Sequence, residues 1–279
     1  MQLYFMQKIT YDKTYFKPKD VLECGQIFRF TPFKEGYKVF SRDLACYVYE
    51  DGNDTVIESE NPDYFYNFFD LGRDYAAVIE NLRQFGVPLL NRATELGKGL
   101  RLLNQDAEEM IFSFILSQNN NIPRIKGIIA KLCETVGEKR EFMGEEYSTF
   151  PSAAALSKYG ADFYRGLGAG YRDEFIVNTA KRVAAEGIEE LRALPAAELK
   201  RRLLTYRGIG PKVADCICLF GFGRGDSFPV DTWIEKIYRE DFGGTLTDRN
   251  KINEYFTSRF KDYSGLAQQY LFYCKRENL

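Results

Sequence analysis

The chain reads as an α+β protein, with an N-terminal antiparallel β-sheet domain followed by a mostly α-helical body that contains a helix-hairpin-helix. Three observations predict this. From Gln2 to about Glu60, short runs rich in Tyr, Phe and Val alternate partially with polar residues and are broken by turn residues. From Pro62 onward, apolar residues recur at helical spacing. Near residue 208, two helical patterns are joined by a turn with glycines on either side of one apolar residue. Sheet first and helices after argue for α+β layering, so residues 1–100 are expected to form the sheet domain with flanking helices and 101–279 the helical domain.

The strand candidates are CGQIFRFTPF, GYKVFSRD, ACYVYEDG and DTVIESE. The helices expected after Pro62 include Asp106–Ser117, Ile122–Val136, Ala153–Lys158, Arg172–Glu186, Ala197–Tyr206, Pro211–Phe222, Thr232–Asp241 and Ser264–Cys274. The glycine- and acid-rich stretch Gly137–Tyr147 is expected to be a flexible surface loop. No repeat of fixed period and no low-complexity tract interrupts the chain.

Composition narrows the chemistry. With 45% hydrophobic and 28% charged residues the chain has a globular profile. No apolar run approaches the roughly 20 residues of a membrane span, and the start MQLYFMQKIT lacks the regions of a signal peptide, so a cytoplasmic location is expected. The six cysteines are scattered and read as reduced thiols. There is no CxxC pair and no histidine, which removes zinc fingers and His-based triads. Any general base must be Asp, Glu or Lys, and no cofactor or metal is expected. The net charge of −2 argues against a long electrostatic grip on nucleic acid, without excluding a local basic face.

The strongest signal is LLTYRGIGPKVADCICLFGF, within a helix-hairpin-helix expected at about 197–222. Pro211 stands at the first position of a second helix. Gly208 and Gly210 allow a tight turn and let backbone N–H groups approach a phosphate at a helix N-terminus. An αα-corner without a ligand would use the same spacing. Lys212, however, sits in the first turn, where the helix dipole disfavours a cation, and such breaks of local preference tend to fall at functional sites. Partly desolvated beside DNA, it could act as a nucleophile; it could also be an ordinary exposed lysine. Cys216 lies one turn on and could wall a base pocket or simply pack. Nineteen residues after the lysine, Asp231 in FPVDTW can cap the following helix and can also stabilise a developing sugar cation.

GIGPKVADCICLFGF followed by PVD resembles the hairpin and aspartate of the base-excision glycosylases, and KVADCICL is most similar to the 8-oxoguanine DNA glycosylase family. CGQIFRF, SQNNNIPRI, LGAGYR and LAQQYLF extend the resemblance over most of the chain in family order. It implies a glycosylase and abasic-site lyase that removes 8-oxoguanine opposite cytosine from double-stranded DNA as a monomer, in the manner of a bacterial member of the eukaryotic type. Lys212 would attack C1′ and form a Schiff base, and Asp231 would assist. Asn119 would fill the hole left by the flipped base, Arg124 and Arg172 would meet the orphaned cytosine, and Tyr171 would wedge into the stack. Gly25 would offer its carbonyl to N7–H of the oxidised base, Phe272 would stack opposite Cys216, and Gln268 would bond the Watson–Crick edge.

Each of these positions also has a local explanation, with Gly25 as a turn before a strand, the asparagines as a break between helices, and AQQYLF as a terminal amphipathic helix. Trp233 departs from the pattern, since eukaryotic members carry a titratable histidine there close to the DNA phosphate. The absence of closely spaced C-terminal cysteines separates the chain from the iron–sulfur glycosylases. An alkylated-base glycosylase would not need a lysine at 212, and a non-catalytic hairpin module would explain the glycines but not Asp231, Cys216 and Phe272.

Overall fold

The computed structural model describes residues 6–277; the expected start of the sheet at Gln2–Phe5 lies outside them. Strands β1 (Gln7–Asp12), β2 (Phe30–Phe33), β3 (Gly36–Ser41), β4 (Leu44–Asp51) and β5 (Asp54–Ser59) form one antiparallel sheet in the order β1-β5-β4-β3-β2. Two-residue turns at Lys34-Glu35, Arg42-Asp43 and Gly52-Asn53 join β2 to β5 as a meander, and β1 adds on the free side of β5.

The helices are α1 (Pro18–Glu23), α2 (Pro62–Phe68), α3 (Tyr75–Arg83), α4 (Pro88–Leu96), α5 (Ala107–Ser117), α6 (Ile122–Val136), α7 (Ala153–Leu156), α8 (Ala161–Gly166), α9 (Asp173–Glu186), α10 (Glu189–Ala193), α11 (Ala196–Leu203), α12 (Pro211–Phe222), α13 (Thr232–Glu240), α14 (Arg249–Phe260) and α15 (Ser264–Arg276). Each helix expected after residue 100 is present, and α6 and α12 start and stop where their N-terminal prolines and C-terminal glycines place them. Among the described residues no helix is long and apolar enough to cross a membrane.

Two expectations are corrected, for the CGQIFRFTPF run and for Gly137–Tyr147. The CGQIFRFTPF run is a strand only at its end, β2, and the helix α1 precedes it. Gln26–Arg29 cannot alternate like a strand because all four residues are buried. Ile27 enters the core under the sheet and Phe28 the larger core of the helical body. The buried Gln26 amide takes the place of a neighbouring strand, donating to the Arg101 carbonyl at 2.8 Å and accepting from the Leu103 N–H at 2.9 Å.

Within Gly137–Tyr147, the expected loop is instead the hairpin β6 (Lys139–Phe142) and β7 (Glu145–Ser148). Its two-residue turn has Met143 at φ 52° and Gly144 at φ 76°, as a primed hairpin turn requires. The hairpin lies on the outer face of the sheet, where Phe142 packs with Ala45 and Tyr47 and the buried Lys38 ammonium is held by the Phe142 carbonyl and Glu145.

The cores also do not divide at residue 100. Tyr75, Val78, Leu82 and Leu90 of α3 and α4 belong to the helical body's core, while Leu103 belongs with the sheet. Arg101, wholly buried, joins the two parts by donating to the carbonyls of Phe69 and Tyr15 with its guanidinium over the Tyr75 ring.

Candidate active site

The hairpin forms as its residues dictate. α11 ends at Leu203, the chain turns through Gly208 at φ 86°, and α12 starts at Pro211 with Gly210 as cap. The two glycines serve different ends. A Cβ on Gly208 would lie 2.2 Å from Cγ of Phe175 on α9, so close packing and a left-handed backbone both require glycine there. A Cβ on Gly210 would meet nothing within 4 Å, so the turn is open on the side this residue faces.

Lys212 is half-buried in the first turn of α12, with Nζ 5.5 Å from the centroid of the Phe114 ring. Phe114 is stacked on Phe220 and meets Phe28 edge-on, so the core of the helical body underlies the lysine. Cys216, one turn along, is buried beside it; burial pushes the thiol up to about 11 against the pull of Lys212, and it stays a neutral, polarisable wall.

Asp231 caps α13, accepting the Ile234 N–H at 2.9 Å. Burial pushes its carboxyl above the ordinary carboxylate value, and the Ile234 N–H, Lys212, the Trp233 N–H and Arg249 oppose that rise. The cap therefore does not hold this carboxyl low, contrary to what capping alone suggests. Lys212, Cys216 and Asp231 thus interact at one place, while the Trp233 indole is exposed on the same turn as the aspartate. The loop bearing Asp231 is anchored by Phe228, stacked 4.5 Å from Phe256 of α14. The sequence reading did not assign α14, although Ile252, Phe256 and Phe260 form an i, i+4, i+8 stripe behind the cap Asp248.

A second group lies at the start of the chain and on its last helix. Gly25 has φ 93°, and a Cβ there would lie 3.7 Å from Cε1 of Phe272. One turn before Phe272, Gln268 is buried with its Oε1 unpartnered among the described residues. Such an atom costs about 1–3 kcal/mol unless a partner arrives.

The third group follows α5, where the three asparagines are held in three different ways. Asn119 sits exposed at φ 45°, Asn120 donates to the Leu116 carbonyl, and Asn121 caps α6 through the Arg124 N–H. A non-glycine residue in that left-handed region is a mark of local strain, best tolerated by Asn. Arg124 is exposed and reaches toward the Gly168 carbonyl, at 3.5 Å. Tyr171 stands out, 55% exposed, with the Arg172 guanidinium 4.5 Å from its ring centroid. Arg172 itself is buried, and its donors are taken by the carbonyls of Ala169, Gln118 and Asn119. It could meet a base only by releasing those bonds, so in this structure it shapes the Asn119 turn. Phe114, Arg249 and Arg276 are the neighbours that sequence motifs alone did not single out.

A sheet ahead of a helical body with a lysine-bearing hairpin is the architecture of the helix-hairpin-helix DNA glycosylases. The 3-methyladenine DNA glycosylase from Archaeoglobus fulgidus is similar in fold alone, with a TM-score of 0.78 at 20% identity, over 96% of this chain and 98% of that one. Closer similarity is to 8-oxoguanine glycosylases. A family profile described as 8-oxoguanine DNA glycosylase, N-terminal domain, matches residues 8–111. The N-glycosylase/DNA lyase OGG1 of Arabidopsis thaliana is 34% identical over 188 residues, 63% of this chain and 52% of that protein, so the chain spans about half the length of this curated relative. The 8-oxoguanine glycosylase/lyase of Clostridium acetobutylicum, solved with duplex DNA containing cytosine opposite 8-oxoguanine, superposes with a TM-score of 0.90 at 33% identity over 98% of both chains. The chain belongs to the 8-oxoguanine glycosylase/lyase family.

Proposed function

We propose that this protein removes 8-oxoguanine standing opposite cytosine in duplex DNA and then opens the strand, using Lys212 as a covalent nucleophile. The observation that carries this reading is the meeting of Lys212, Cys216 and the capped Asp231 at the start of α12, in a chain whose 33% identical relative was solved on such DNA. The Nζ lone pair bonds to C1′ as the C1′–N9 bond breaks, and the electron pair leaves with the base, which takes up a proton. An ionised Asp231 stabilises the positive charge that develops on the sugar as the two bonds exchange, and the nitrogen, cationic once bonded, gives up a proton. Ring opening leaves a protonated Schiff base, and loss of a C2′ proton expels the 3′ phosphate.

The other groups recognise the base and hold the DNA. Gly25, Cys216, Gln268 and Phe272 form the base pocket; the unpartnered Oε1 of Gln268 supports this, because it suits a Watson–Crick N–H donor. Asn119 and Tyr171 fill the vacated stack, while Arg124, and Arg172 once released from its carbonyls, meet the orphaned cytosine. The open Gly210 side of the turn and the exposed Trp233 lie along the DNA backbone, with Gly208 setting the turn's shape. This reading puts the protein where the genome is, in the cytoplasm, and on the nucleoid if the cell is bacterial.

The test is borohydride trapping on duplexes carrying 8-oxoguanine, hypoxanthine or methylated adenine. Wild type should be trapped on 8-oxoguanine opposite cytosine, and Lys212→Gln should bind the duplex without trapping. Normal trapping by Lys212→Gln would remove the lysine from the mechanism.

A further inference from the structure

The end of α15 holds a group that the proposed chemistry does not use. Gln268, Phe272 and Arg276 succeed one another at intervals of four, one stripe spanning roughly 12 Å of helix. At one end is the buried acceptor Oε1 of Gln268 and at the other the buried donor Nη1 of Arg276, both without a partner among the described residues. Arg276 is fixed from behind: Nη2 donates to the Glu23 carbonyl and, at 3.0 Å, to Oε1 of Glu277, and Nε donates to the same carboxylate at 3.2 Å. What these bonds leave over is Nη1, which points at Gly25, 2.8 Å from where a Cβ on that residue would stand. Phe272 borders the same point. A guanidinium N–H desolvated without an acceptor is costly, and this one faces the proposed base pocket.

We propose that Arg276 is a specificity-determining residue that donates a hydrogen bond from Nη1 to the C8 oxygen of the flipped base, an inference that rests on the function proposed above. An oxidised guanine lying on Phe272 with its Watson–Crick edge toward Gln268 turns its N7–C8 edge to the Gly25 end of the stripe. That edge is a lactam, with N7–H a donor and C8=O an acceptor side by side. The Gly25 backbone and Arg276 supply the complementary pair, an acceptor and a donor. Undamaged guanine offers C8–H to the same nitrogen, so its donor stays buried and unpaired, and guanine is rejected by a second contact independent of N7.

The experiment uses the full chain and measures single-turnover removal of 8-oxoguanine and 8-thioguanine opposite cytosine, together with cleavage at a preformed abasic site. Sulfur at C8 keeps N7–H but is a weak acceptor. Arg276→Ala should slow 8-oxoguanine removal about 10- to 100-fold, leave abasic-site cleavage unchanged, and shrink the oxo-to-thio rate ratio several-fold. Arg276→Lys should recover part of the loss. An unchanged oxo-to-thio ratio in Arg276→Ala would show that the arginine does not touch the C8 substituent. Equal losses on base removal and abasic cleavage would make it a structural residue, and faster removal would make it a plug; each overturns the proposal. Wild-type protein that removed neither base would overturn the function itself, and this inference with it.

Discussion

The amide nitrogen of Gln269 donates to the thiol sulfur of Cys24 across 3.2 Å, joining the last helix to the turn that contains Gly25. The same sulfur accepts from Gln26 and donates to the Val21 carbonyl. Burial pushes the Cys24 thiol up to about 11, so it remains a neutral hydrogen-bonding post. Gln268, which faces the proposed pocket, is the preceding residue on α15.

This bond should matter for reading the base more than for cutting the strand. Gln269→Leu leaves Lys212 and Asp231 untouched but removes one bond between the Gly25 turn and α15, leaving that from Arg276 to the Glu23 carbonyl. Single-turnover removal of 8-oxoguanine is expected to fall about 5- to 10-fold, the equivalent of one hydrogen bond, with abasic-site cleavage within about twofold of wild type. Parallel loss of both activities would mean that the bond supports the whole fold.

The hairpin glycines should separate in the same spirit. Gly208→Ala places a methyl group against Phe175 in a left-handed backbone, and is expected to cost about 1–3 kcal/mol of stability by thermal or denaturant unfolding. Gly210→Ala, with open space around its Cβ, should keep the wild-type melting temperature and weaken duplex binding instead. A Gly210→Ala protein that bound duplex normally would remove that side of the turn from the DNA interface.

Asp231 sets the expected pH dependence. Its carboxyl is raised mainly by burial, and the proposed step needs it ionised, so base release should fall on acidification at a pH above the ordinary carboxylate range. Asp231→Asn should lose that acid limb along with most of the rate. For stability the sign is opposite. A raised folded-state pKa stabilises the fold when the group is protonated, and this contribution is lost as pH rises, so Asp231→Asn should be at least as stable as wild type at neutral pH. An acid limb that persisted in Asp231→Asn would assign it to another group.

Asp215 makes the same point away from the proposed chemistry. It pairs with Lys200 at 2.7 Å, and Asn253 donates to it at 3.0 Å, yet burial still pushes it up to about 6. Its favourable contribution is complete below the unfolded-state value and disappears as pH rises through about 6. Asp215→Asn should therefore gain about 1–3 kcal/mol at about pH 7.5 and nothing at about pH 3.5, measured as urea midpoints at the two pH values. A gain equal at both would come from packing rather than ionisation.

What could be read from the sequence was local. Pro211 and Gly223 bound α12, Asn121 and Pro123 start α6, and Asp231 caps α13, because caps and prolines act on their own neighbours. The Gly25 segment defeated periodicity because its side chains are divided between two cores, a fact set by residues far along the chain such as Arg101 and Leu103. The β6–β7 hairpin looked like a loop because its charged residues face solvent, while the bond from Lys38 to its Phe142 carbonyl ties it to the sheet from about a hundred residues away. The motifs around Lys212, Asn119 and Phe272 were legible as a family pattern, but the engagement of Arg172 with the Gln118 and Asn119 carbonyls was not. Nor was the nitrogen of Arg276 that has no partner among the described residues, since pairing is a property of space and not of spacing.

The bond between Gln269 and Cys24 also spans 245 residues of chain. The wall against which the proposed pocket would tell one base from another is thus built from two segments that no local interaction brings together. α15 shares one core with α12 and α13, so the pocket's long-range closure and the placing of Lys212 draw on the same packing.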